Sequence, residues 1–110
     1  MLQEIDPTTL YFTHSKIREK FSGCGKYLTE TLQEILDGKT KVSDIPKIKV
    51  LNDGNGRLYS MNNRRLWVFK ELKAKGFLDT IVVDLKVAKS KSEKRLGNSD
   101  LSLQAKLVLH

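Results

Sequence analysis

The amino-acid sequence predicts a small α+β domain, and three observations predict it. Two segments carry apolar residues at helical spacing, and each runs into a glycine, Gly38 or Gly76. Between them, two short strand-like runs flank the turn-forming stretch "NDGNG" at 52–56. After the second helical segment comes "TIVVDLKV" at 80–87, dense in β-branched residues.

Taken in order, "TLYFT" at 9–13 is rich in β-branched and aromatic residues and is expected to be a first strand or extended lead-in. Pro7 just before it opposes a helix running on from the N-terminus. "HSKIREKFSGCGK" at 14–26 is polar with two glycines near its end, so a loop or short helix and turn is expected. The first firm helix is "YLTETLQEILDG", where Leu28, Leu32, Ile35 and Leu36 fall at i, i+4, i+7 and i+8 on one face. Gly38 suits its C-terminal cap.

"KIKVL" at 47–51 and "RLYSM" at 57–61 are the expected arms of a hairpin, because the intervening Asn, Asp and Gly tolerate positive φ. The second helix is "NNRRLWVFKELKAKG", with Leu66, Phe69 and Leu72 recurring, an Asn N-cap and Gly76 as the stop. "TIVVDLKV" reads as a buried strand. Residues 1–87 thus form the expected core. Residues 88–110 are expected to be a basic linker followed by a C-terminal strand of the same domain, since Leu101, Leu103, Ala105, Leu107 and Leu109 alternate. That last alternation also leaves homodimerisation through an edge strand open.

Composition narrows the function classes. Twenty Lys and Arg against thirteen Asp and Glu give a net charge of +7, which favours nucleic acid, nucleotides or acidic surfaces as partners. No run approaches the roughly 18 apolar residues that span a bilayer, so no membrane role is expected. The N-terminus lacks a signal peptide's basic and apolar regions, and one cysteine forms no internal disulfide; an intracellular location, cytoplasm or nucleus, is expected. The two histidines, His14 and His110, are far apart in sequence, and no metal site is expected.

Read as a series, "IPKIKV", "GRLY", "NNRR" and "TIVVDL" resemble the ParB/sulfiredoxin superfamily core. The match lies in Ile45, Pro46, Ile48 and Val50, then Gly56, Leu58 and Tyr59, then a polar loop opening a helix. The lead-in "IDPTTLYFTHSKIREKF" is similar as well, so the resemblance covers about residues 5–87. It implies a mixed sheet with a hairpin and two or more packed helices. It also implies that Asn62, Asn63, Arg64 and Arg65 hold the phosphates of a nucleotide such as ATP or CTP, or of nucleic acid, with Arg18 assisting from the lead-in. The chain departs from the family in carrying Asn-Asn where ParB-like proteins carry Gly-Glu. The acidic-Asn-Arg motif of nucleotide-hydrolysing members is not recognisable in residues 86–100.

The residues themselves support the same assignment. A helix start exposes backbone N–H groups and the positive end of the helix dipole. Two arginines there are unfavourable unless an anion meets their forked donors. The competing assignment makes an asparagine the cap and leaves the arginines in solvent. Lys20 in the lead-in is a further candidate cation. Trp67 and Phe69 could stack a base, but their helical positions favour packing.

"FSGCGK" at 21–26 is similar to the sulfiredoxin cysteine loop, yet it precedes the hairpin, whereas the family's loop follows it. The position matching the nucleophile is Asn63. Cys24, flanked by glycines with Lys20 and Lys26 nearby, stays a candidate reactive thiol. No catalytic residue is assigned. An enzyme on the same scaffold (phosphotransferase, nuclease or sulfiredoxin-like reductase) is the alternative, with Cys24, Glu19, His14 and Asp84 as its candidate groups. A plain protein-interaction module is the third.

Overall fold

A four-stranded mixed sheet and two packed helices make up most of the computed structural model, which describes residues 1–13, 16–20, 26–52, 57–87, 103 and 105–108. The sheet comprises β1 (Leu2–Ile5), β3 (Lys49–Asn52), β4 (Leu58–Ser60) and β5 (Ile81–Val87), in the order β1-β5-β3-β4. β3 and β4 are the antiparallel arms predicted, in register Val50 to Ser60 and Leu51 to Tyr59. The turn between them, 53–56, lies outside the described residues. β5 returns parallel to β3 and antiparallel to β1.

The helices are α1 (Leu28–Leu36) and α2 (Asn63–Ala74). α1 follows its predicted stripe: Leu28, Leu32 and Ile35 are buried, while Leu36 is only partly so. α2 is buried over a wider arc, through Leu66, Val68, Phe69 and Leu72, because it packs against α1, the 3-10 turn at Pro7–Thr9 and β2 as well as the sheet. These side chains join Ile5, Val50, Ile81 and Val83 in one core, on one face of the sheet. Both helices end alike. Gly38 and Gly76 take φ of 78° and 77°. Their N–H groups reach Ile35 and Lys73 carbonyls, and the next residues, Lys39 and Phe77, reach Glu34 and Leu72. That is the left-handed helix stop in which two orphan carbonyls are satisfied at once.

Three elements differ from the sequence expectation. The first strand is "LQEI" at Leu2–Ile5, not "TLYFT". Asp6 caps the 3-10 turn by accepting the Thr8 N–H at 2.9 Å, and that turn separates the strand from the extended run that follows. In that run Tyr11 makes a single parallel bridge to Tyr59. Residues 16–18 form a strand, β2 (Lys16–Arg18), rather than loop or helix, paired in parallel with β6 (Lys106–Val108). β2 has the charged–apolar–charged pattern of a half-buried strand: Ile17 is buried between exposed Lys16 and Arg18. β5 is central in the sheet but buried on one face only, with Val82 39% exposed.

Candidate functional site

The start of α2 is fixed by hydrogen bonds that its sequence dictates. Asn62 is the N-cap, and its Oδ1 accepts the Arg65 N–H at 3.0 Å. Ahead of it, the buried Ser60 Oγ accepts the Asn62 N–H and donates to the Asn62 carbonyl, both at 2.9 Å. Asn63 reaches back to the lead-in: its Oδ1 accepts the Thr13 N–H at 3.0 Å, and its Nδ2 donates to Thr13 Oγ1 at 2.9 Å. The asparagine side chains are therefore engaged within the protein. The backbone N–H groups of Asn63 and Arg64 make no hydrogen bond among the described residues, as the first amides of a helix do.

Thr13 leads towards β2, and so the pin by Asn63 helps set β2 beside the helix start. Lys16 and Arg18 lie on the same, exposed side of β2. A cleft of about 380 Å³ results, lined by Lys16, Ile17, Arg18, Met61, Asn62, Asn63 and Arg64. Among the described residues no acidic side chain lines it, and Lys16, Arg18 and Arg64 form no ion pair. The first turn of α2 has no acidic residue either. Three cations and the positive end of a twelve-residue helix thus converge on one cleft.

Of the sequence-predicted residues, Arg18, Asn62, Asn63 and Arg64 are brought together here. Arg65 is not: its Nη1 donates to the Lys47 carbonyl at 3.3 Å, away from the cleft lining. Phe69 belongs to the core, and Trp67 lines a different cleft beside Phe12. Lys20 places its Nζ 4.7 Å from the Tyr27 ring centroid, and Lys26 pairs with Glu34. Glu19 is partly buried, and its carbonyl accepts the Leu28 N–H. Asp84 sits on β5, where its Oδ1 accepts the Met1 amino group at 3.0 Å; that bond holds its carboxyl below the usual carboxylate range. Cys24 and His14 lie outside the described residues.

Lys16 and Ser60 were not singled out from sequence. Lys16 had a signal: two residues before Arg18, it shares a side with it once 16–18 is a strand. Ser60 had a weaker one, standing two residues before an N-cap.

No family model matches the chain, and no curated protein matches it. Among the described residues no helix is long and apolar enough to cross a membrane, and no three His, Cys, Asp or Glu side chains gather as a metal site would need.

Proposed function

We propose that the cleft at the start of α2 binds phosphate groups, carried by a nucleotide such as ATP or CTP or by nucleic acid, in a ParB/sulfiredoxin-like module. One observation carries this reading: Lys16, Arg18 and Arg64, free of ion pairs among the described residues, surround two unsatisfied helix-start N–H groups. Phosphate oxygens accept from both kinds of donor, and the dipole favours their charge. The order of elements supports it too, since the cleft lies at the loop where a hairpin opens into a helix.

Within this reading Asn62 and Asn63 shape the loop, and the N–H groups of Asn63 and Arg64 meet the anion. Arg64 reaches it from the helix, Lys16 and Arg18 from across the cleft. Arg65 braces the loop through Lys47.

Thermal-shift measurements with ATP, CTP, GTP, ADP, inorganic pyrophosphate and short DNA or RNA test it. A rise in melting temperature with at least one of these ligands is expected, lost in Lys16→Ala/Arg18→Ala/Arg64→Ala. No shift with any of them, or a shift that the triple variant keeps, overturns it. A steep fall of affinity with salt selects nucleic acid over a nucleotide.

A further inference from the structure

A second cleft lies on another side of α2 and has different chemistry. It measures about 520 Å³ and is lined by Thr8, Phe12, Trp67, Lys70, Glu71, Leu103 and Ala105. Trp67 is partly buried and gives the cleft an accessible aromatic wall, while Phe12 is buried beneath Lys70 at its floor. Its size is that of a small-ligand site. Lys70 is half-buried in the lining, with its Nζ 5.1 Å from the Phe12 ring centroid and 2.8 Å from the Leu103 carbonyl oxygen.

The surroundings make this amine unlike a surface lysine. Desolvation lowers its pKa to about 8, against a smaller opposing pull from Asp6. Asp6 is itself shared with Lys73, whose Nζ lies 3.7 Å from its Oδ2. Among the described residues Glu71 is the acidic one in the lining. With its pKa at about 8, roughly a tenth of Lys70 is the free amine at pH 7 and roughly a quarter at pH 7.5, and the free amine is the form in which enzymes use lysine nucleophiles. A neutral amine keeps an N–H for the Leu103 carbonyl while its lone pair stays available. Glu71 disfavours an anionic guest, whereas the Trp67 ring favours a neutral one.

We propose that the Lys70 ε-amine condenses with a small neutral carbonyl compound whose apolar body lies against Trp67. The amine nitrogen adds to the carbonyl carbon, and the resulting carbinolamine loses the former carbonyl oxygen as water. A C=N bond replaces the C=O bond and nothing is oxidised or reduced. This site is independent of the phosphate cleft.

The test uses benzaldehyde as probe with cyanoborohydride, which reduces the imine to a stable amine, at pH 7.5, followed by peptide mass spectrometry. The larger free-amine fraction, discounted for the weaker intrinsic nucleophilicity of a less basic amine, leads to labelling of Lys70 about tenfold faster than exposed Lys39, Lys41 and Lys75. Its rate should saturate with benzaldehyde while theirs rises linearly. Trp67→Ala should abolish the saturation and leave the rates at the exposed lysines unchanged. Labelling of Lys70 no faster than the exposed set, or linear in benzaldehyde, overturns the proposal, as does unaltered saturation in a folded Trp67→Ala protein. If that variant does not fold, the saturation behaviour of the wild-type protein decides alone.

Discussion

Asn63 holds Thr13 by two hydrogen bonds, accepting the backbone N–H at 3.0 Å and donating to the hydroxyl at 2.9 Å, across 50 residues of chain. The contact ties the first turn of α2 to the segment that leads into β2, and so couples the two walls of the basic cleft. Asn63→Ala removes both bonds at a partly buried position. A loss of about 1–3 kcal/mol in unfolding free energy is expected by urea denaturation. Asn63→Asp should lose less. A carboxylate still accepts the Thr13 N–H, and negative charge at a helix start is favourable.

The two helix stops lead to a prediction that involves no packing. A Cβ at Gly38 or Gly76 would meet nothing within 4 Å, so the cost of alanine there is the backbone's alone. With φ at 78° and 77°, Gly38→Ala and Gly76→Ala should each lose about 1–2 kcal/mol. Asparagine at either site should lose less, and thermal denaturation of the four variants checks the ranking.

What could be read in the sequence follows the range of the interactions. Both helices, both glycine stops, the hairpin arms and an asparagine cap at 62 or 63 rest on signals within a few residues, and all were legible; the fold selects Asn62. β2 was not, because Lys16 pairs with Lys106 and nothing near residue 16 announces it. The same gap hid Lys16 as a cleft residue. β1 was missed because "LQEI" has a single buried position, Ile5, and gains its partner in β5 almost eighty residues later. Arg64 and Arg65 are neighbours with equal chemistry in sequence. Only the fold separates them, by turning one to the cleft and the other to the Lys47 carbonyl.

Lys70 gives a pH dependence with a definite sign. Its pKa is lowered from 10.5 to about 8 by desolvation, so the folded protein gives up this proton before the unfolded chain does. Between those values the unfolded state binds more protons, and stability therefore rises with pH from about 8 to 10.5. Below pH 8 the buried charge is a net cost. Lys70→Met keeps the aliphatic stem beside Phe12 and removes that charge. It should be more stable than wild type at pH 7, by about 1 kcal/mol once the amine's partial solvent access is allowed for. The difference should shrink as pH climbs towards 10.5. Urea midpoints across that range read it directly, and a gain that stays constant with pH would assign the effect to packing.

The sharpest prediction for the proposed phosphate site compares two adjacent arginines. Arg64 lines the cleft with no ion pair among the described residues, while the Arg65 guanidinium is spent on the Lys47 carbonyl. A charge-assisted hydrogen bond to phosphate contributes about 1.5–3 kcal/mol, so Arg64→Ala should weaken binding about tenfold or more. Arg18→Ala should act in the same direction, though less, because its exposed side chain gives up more freedom and is better screened. Arg65→Ala should leave affinity nearly unchanged and instead lower stability, by about 1 kcal/mol, through loss of its hydrogen bond to the segment before β3. Calorimetric titration with ATP at low salt, paired with urea denaturation of each variant, separates the two effects. Equal loss of affinity in Arg64→Ala and Arg65→Ala would place the anion across both guanidinium groups, and so outside the cleft described.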